Sequence, residues 1–465
     1  MKNLINILAM STFCFAQLFL FGACQEDGTY LAKHDEQVLM EEIQKVSPNS
    51  DAVTAHDAAM VALKKLDRGS LKGRLASNYT ISTVEDENGE TALYIVNFEN
   101  NGGFVVVSAK KEVEPVLAWN TTGQYVCTED NGVKIWQDNA VKAIQYAEDQ
   151  DDSVKQYNKR VWASMTNEQS QVGIMPMAQN ASDEWTTAQQ ILREKLMEWK
   201  NDGIDCYALK YWEPRFQHYG PEKTYYKFNW EDCAFVTQRD SFVTRKTEFI
   251  KTKWNQIDGF NRYCPEINGQ NTKAGCVPVA CGQLMYHYKF PSRYNWDNMA
   301  LEYATDASAI LIAELGEGMY ASFSTYETTV RINDCLSYLR QIGYSCILTE
   351  SLGQSIVDKM EQNMLVKKPA LLILGEINYY LVVVGGIHIQ EIYVTDDIWS
   401  FSTATKYEVV ASERAYTAKH VYFYLNWGKN GVNDGYYKLN NITTNESDGT
   451  KTWEASRVIF VELDN

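Results

Sequence analysis

The sequence predicts an α+β protein of two mixed units behind an apolar leader. Three observations carry the prediction. Residues 91–119 hold short β-branched and aromatic runs broken by "ENNGG", with helical patterns on either side. Residues 276–288 repeat apolar positions at spacings of three and four, whereas 378–387 is almost continuously apolar, so helix and strand signals both crowd the stretch after residue 247. A chain of 465 residues, 45% of them hydrophobic, is long enough for two or three domains with sizeable cores.

The elements are taken in chain order. Lys2 precedes the apolar run "LINILAMSTFCFAQLFLFGA", which ends at Cys24, so residues 1–24 read as an export signal. Gln17 interrupts the run and argues against a membrane-spanning anchor. Gly22 and Ala23 before Cys24 resemble the lipobox of bacterial lipoproteins, with Phe21 where leucine is usual. An ordinary secretory signal cut nearby is the alternative. Cys24 is thus the expected lipidation site. Residues 25–36 begin "QEDG" and read as a tether, resembling the acidic tether of some surface lipoproteins of the Bacteroidota. The expected location is therefore exported, at the outer membrane or cell surface, with membrane contact only through lipid. Residues 37–163 form the first folded unit. Two helical patterns lead, "DEQVLMEEIQKV" and "TAHDAAMVALKKL". Strands follow at "ASNYTISTVED" and "TALYIVNFENNGGFVVVSAK", the Asn-Gly turn between the latter pair supplying positive φ angles. "EPVLAWNTTGQYV" reads as a further strand pair, and 133–163 as helical. Residues 164–246 are a polar linker and the start of the second part, and 247–465 is the second folded unit.

Composition excludes several functions. A formal charge of −17 makes nucleic acid and anionic lipid surfaces poor partners. Of ten cysteines, Cys14 and Cys24 lie in the leader, and the other eight are too sparse for a disulfide scaffold. The spacing of Cys276, Cys281 and His287 does not fit a zinc knuckle, and "GEGMYASF" lacks the lysine of a phosphate loop. No metal and no cofactor is implied.

The chemistry centres on "NTKAGCVPVACGQLMYHYKFP". Pro278 is tolerated only in a first helical turn and Gly275 permits a sharp entry, so the helix starts at Cys276. The helix dipole there favours a thiolate, as a nucleophile needs, although a buried structural cysteine fits the pattern too. Val277, Ala280, Cys281, Leu284, Met285 and Tyr288 form the expected buried stripe. A thiol peptidase also needs a base, a group orienting it and an oxyanion donor. Gln256 in "TKWNQ" and Asn426 in "YFYLNWGKNGVNDGYYKL" carry amides suited to the last two roles.

In the order Gln, Cys, Asn-Trp-Gly, these residues resemble the streptopain family of papain-like cysteine peptidases. The resemblance rests on "KTKWNQ", "CP", "NGQ", "AGCVPVACGQLMYHYKFP" and "NWGKNGVNDGYYKL", and covers roughly 247–440. "YIVNFENNGGFVVVSAKKEVEPVLAW" resembles the inhibitory prodomain of that family. It implies a papain-like fold behind a small α+β prodomain, with Cys276 as nucleophile, Gln256 as oxyanion donor, and Asn426 and Trp427 on the base-orienting strand. The partners it implies are the chain's own prodomain and a protein or peptide in the cleft.

The family's histidine opens a hydrophobic strand that ends in glycine. Here that strand is "NYYLVVVGGI", and registering on Gly386 puts Tyr380 at the histidine position; a shift by one puts Tyr379 there. Gly385 and Lys429 are further departures. His287 lies about 16 Å along the helix from Cys276, out of reach. His388, expected past the end of the strand, and His420 remain as substitutes only if they fold back into the cleft. A phenol, with a pKa near 10, is a poor base at neutral pH. The expectation is an exported peptidase homologue, inactive or severely weakened, that binds protein or peptide. The alternatives are an active cysteine endopeptidase using an unrecognised histidine, or a purely structural or adhesive surface protein.

Overall fold

The computed structural model describes residues 30–31, 53–66, 78–128, 132–145, 147, 155, 158–159, 161–162, 165–166, 205–209, 217–218, 224–225, 233–375, 379–401, 407–439 and 456–463. The leader with Cys24, most of the tether, the first helical pattern and most of the linker lie outside these residues. Tyr30–Leu31, expected to be tether, instead form a two-residue strand at the edge of the sheet, Tyr30 opposite Ser82 and Leu31 opposite Ile81. Among the described residues no helix is long and apolar enough to cross a membrane.

In the N-terminal unit, α1 spans Ala55–Lys65. Thr54 starts it with a reciprocal cap: its hydroxyl accepts from the Asp57 amide at 3.1 Å, and the Asp57 carboxylate accepts from the Thr54 amide at 2.9 Å. Four strands follow as an antiparallel meander: β1 Tyr79–Glu85, β2 Thr91–Phe98, β3 Phe104–Ser108 and β4 Val116–Asn120. Asn100, Asn101 and Gly103 all take positive φ in the β2–β3 turn, as the Asn-Gly pattern predicts. The expected strand pair at 114–126 is corrected. Only β4 forms, and the residues after it make a loop tied down by a bridge between Gly102 and Gly123 and by the side chains of Asn97 and Asn433. Helix α2, Gly132–Gln145, buries Val133, Trp136, Ala140 and Ile144. Alternation along the strands sends Leu93, Ile95 and Val106 toward α2, and Tyr94, Val96, Val105 and Val107 toward α1.

The C-terminal unit contains β5 Cys233–Glu248, α3 Cys276–Tyr288, α4 Asp306–Gly318, α5 Ile332–Gln341, β6 Tyr344–Leu348, α6 Gln354–Leu365, β7 Ala370–Leu374, β8 Tyr380–Phe401, β9 Tyr407–Asn426, β10 Gly435–Tyr437 and β11 Ser456–Leu463. One antiparallel sheet runs through both units in the order β1-β2-β3-β4-β10-β9-β8-β7-β11-β6, with β5 also against β8. The units join where β4 pairs with β10, Ala118 opposite Tyr437 and Trp119 opposite Tyr436. Helices α3, α4 and α5 cover one face, over Leu371, Ile373, Leu381 and Val383. Helices α2 and α6 cover the other, over Leu372, Val382, Val384 and Phe460.

Two expectations are corrected. Helix α3 has no single stripe: every residue from Val277 to Met285 is buried, because sheet and α4 enclose it from both sides, while Tyr288 stays half-buried. Strand β8 does not end at Gly386. It runs to Phe401 between β5 and β9, so His388 lies within it. The two glycines mark a close crossing instead. A Cβ at Gly385 would overlap Ile250, and one at Gly386 would overlap the backbone of Thr247.

Candidate active site

Cys276 is the first residue of α3, and Gly275 before it has φ 91°. A Cβ on Gly275 would come within 2.9 Å of the Thr328 carbonyl, so glycine is needed for both conformation and space. The thiol is half-buried. Burial pushes it up to about 11; a backbone hydrogen bond with Leu381 lowers it, Glu327 raises it, and the amides of Cys276 and Val277 lower it. The helix start does act in the expected direction, but desolvation outweighs it, so the group is a thiol at neutral pH.

Gln256 lies beside Cys276 because the Ala274 amide donates to the Gln256 carbonyl at 2.9 Å, tying the two loops together. Its side-chain amide is already engaged: Gln256 Nε2 donates to the Tyr380 hydroxyl at 2.9 Å. That hydroxyl donates in turn to the Trp427 carbonyl at 3.0 Å. Lys429 Nζ stands 5.9 Å from the centre of the Tyr380 ring. Gly132, the first residue of α2, also meets this ring: a Cβ there would overlap it. The neighbouring Tyr379 faces the opposite layer. Its hydroxyl is buried without a hydrogen-bond partner, and burial, then Cys276, pushes its pKa well above the ordinary tyrosine value.

Asn426 ends β9 and is buried. Its Nδ2 donates to the Thr252 carbonyl at 2.5 Å, and its Oδ1 accepts from the Gly428 amide at 3.0 Å. Both ends of the amide therefore serve backbone. The Trp427 amide donates to Asp434 Oδ1 at 2.9 Å, and its ring packs against Tyr380 and Tyr437.

The histidines of the C-terminal unit have other surroundings. His287, at the far end of α3, meets the Lys367 carbonyl at 3.0 Å. His388 lies among Trp119, Tyr422 and Tyr436, and burial pushes its pKa down to about 3, assisted by Lys65, Lys246 and His420. His420 Nδ1 is 2.6 Å from Glu114 of the N-terminal unit.

Sequence reasoning missed three contributors. Asp434 resembles an ordinary turn residue in "VNDGYY", yet it is buried and desolvation raises it to about 7, against the Trp427 amide and Lys253. Thr252 holds Asn426 through its carbonyl and Gln283 of α3 through its hydroxyl at 2.8 Å. Gly132 carried no signal beyond its place at a helix start.

Comparison with known proteins bears on this arrangement. Residues 50–144 match the Spi protease inhibitor model, and residues 254–293 match the Peptidase C10 family model. The chain thus has a segment similar to Spi protease inhibitors ahead of a segment similar to C10 peptidases. The second match includes Gln256 and Cys276 and stops before Tyr380 and Asn426. No curated protein matches the chain. Among solved structures, a prointerpain A fragment from Prevotella intermedia is 14% identical, with a TM-score of 0.46 over 83% of this chain and 98% of that one. Active interpain A from the same organism is 15% identical, with a TM-score of 0.32 over 46% of this chain and 94% of that one. The segment similar to Spi protease inhibitors is thus attached to, and packs against, the unit that holds the segment similar to C10 peptidases.

Proposed function

We propose that this chain is an exported, lipid-anchored streptopain-type homologue whose peptidase site is disabled, and that it acts by binding protein or peptide. One observation supports the reading: the hydroxyl of Tyr380, the residue that registration on Gly386 sets at the base position, accepts a hydrogen bond from Gln256 Nε2 at 2.9 Å. A neutral phenol does not take up the thiol proton, and one of the two N–H groups of the amide that would receive an oxyanion is turned to it. The raised thiol of Cys276 and the backbone-bound amide of Asn426 agree with a site no longer poised for transfer. The second reading, a working endopeptidase with another histidine, would require His388 or His420 to leave the partners described above.

The test is restoration. Tyr380→His should give partial cleavage of casein and labelling by a thiol-directed epoxide, both lost in Tyr380→His/Cys276→Ala. Cleavage by the wild type that His388→Ala or His420→Ala abolishes would overturn the reading. The anchor is tested separately. Cys24→Ser should move the protein out of the detergent phase, and unchanged partitioning and processing would refute lipidation at Cys24.

A further inference from the structure

We propose that the inhibitor segment is a permanent structural part of this molecule, anchored through Tyr380, and that it stays bound when the chain between the units is cut. The inference goes beyond the functional reading above and does not depend on it. It stands on what release would expose.

The sheet is the first argument. Strand β10 is three residues long and lies between β9 and β4. Loss of the inhibitor segment would strip one side of it. It would also bare the edge of a sheet continuous through both units.

The polar groups at the joint are the second. Asn433 is fully buried; its Oδ1 accepts from the Val126 amide at 2.6 Å and its Nδ2 donates to the Val126 carbonyl at 2.8 Å. Asn120 Nδ2 donates to the Asp434 carbonyl at 2.5 Å, Trp136 Nε1 to the Lys438 carbonyl at 2.9 Å, and the Lys438 amide to the Leu117 carbonyl at 2.9 Å. Groups paired across a joint in this way lose their partners on separation.

The third is charge. Glu114 of the inhibitor segment sits between His420 Nδ1 and Lys438 Nζ, and Lys438 is only 2% exposed. Release of the segment would take from that ammonium its carboxylate partner.

The fourth is Tyr380. It meets the first turn of α2 at Gly132, while its hydroxyl bridges Gln256 and the Trp427 carbonyl. An imidazole lacks the reach of the phenol. At the position expected of a base, this chain has a ring that floors the docked helix.

The experiment uses the full chain with a site-specific protease sequence inserted between residues 167 and 204. After cutting, confirmed as two bands on a denaturing gel, the sample is diluted to about 0.1 µM, where a complex with Kd near 1 µM would be mostly apart, and passed over a sizing column. Co-elution of both pieces is expected, and separate elution overturns the proposal. Gly132→Leu, which drives a side chain into Tyr380, should release the inhibitor piece from the cut protein. Undiminished co-elution of that variant overturns the anchoring role. If the variant does not fold, hydrogen exchange of the wild type decides. Amides of 118–119 and 436–437 should stay equally protected before and after the cut, and lost protection refutes the proposal. Casein cleavage is read on the same sample. Activity in the co-eluting complex would overturn the disabled-site reading and leave this one standing.

Discussion

At the scale of single residues, the account turns on groups that look catalytic in the sequence and are otherwise engaged in the fold. Cys276 was legible because Gly275 and Pro278 bracket a helix start. Its ionisation was not, because it depends first on burial and then on Leu381 and Glu327, none of which a local pattern connects to it. A thiol pushed up to about 11 should alkylate slowly at pH 7, and its rate with iodoacetamide, followed by mass spectrometry, should climb until the pH reaches about 11. A plateau already reached by pH 8 would contradict the burial argument. Asp434 gives a second test. Its carboxyl is raised from the ordinary 3.8 to about 7, so the folded state prefers the protonated form. The stability this confers is full below pH 4 and is lost as pH rises through 7. Asp434→Asn keeps an acceptor for the Trp427 amide without that loss. It should melt several degrees above wild type at pH 8, with the difference shrinking toward pH 4.

At the scale of elements, the helix and strand types were mostly readable and their extents were not. The capped start of α1, the Asn-Gly turn between β2 and β3, and the glycine entry to α3 each follow from a local backbone requirement. The length of β8 does not, since it depends on β5 and β9 flanking it from distant parts of the chain. Gly385 and Gly386 looked like a strand end, but they permit a crossing by residues 247–250. The fully buried α3 likewise reflects packing on two sides, which a one-face pattern cannot anticipate. The entry to α3 is the element most sensitive to a single change. Gly275→Val would add a clash against Thr328 to a positive φ with ψ near 149°, a conformation close to glycine-only, the backbone strain alone costing about 1–3 kcal/mol. A lowered urea midpoint, with the slope unchanged, is the expected result.

At the scale of the whole molecule, two units read as separate in sequence share one sheet and one apolar core. The joint was illegible because Glu114 lies in "KKEVEPV", which reads as a charged loop, while its partners His420 and Lys438 lie about three hundred residues later. Burial opposes its ionisation, but His420 and Lys438 outweigh it and hold the carboxyl down to about 2. That contribution is present above the ordinary glutamate range and lost as pH falls through 2. Glu114→Gln should therefore melt below wild type at pH 7, with the gap narrowing between pH 5 and pH 2 in thermal scans. The central claim is that Tyr380 leaves the peptidase site without a base. It is tested most directly by the rate of casein hydrolysis by purified wild type beside Cys276→Ala. The two rates should be indistinguishable, since loss of acid–base assistance alone removes about 10²–10⁴-fold. Sustained wild-type cleavage that Cys276→Ala abolishes would contradict it.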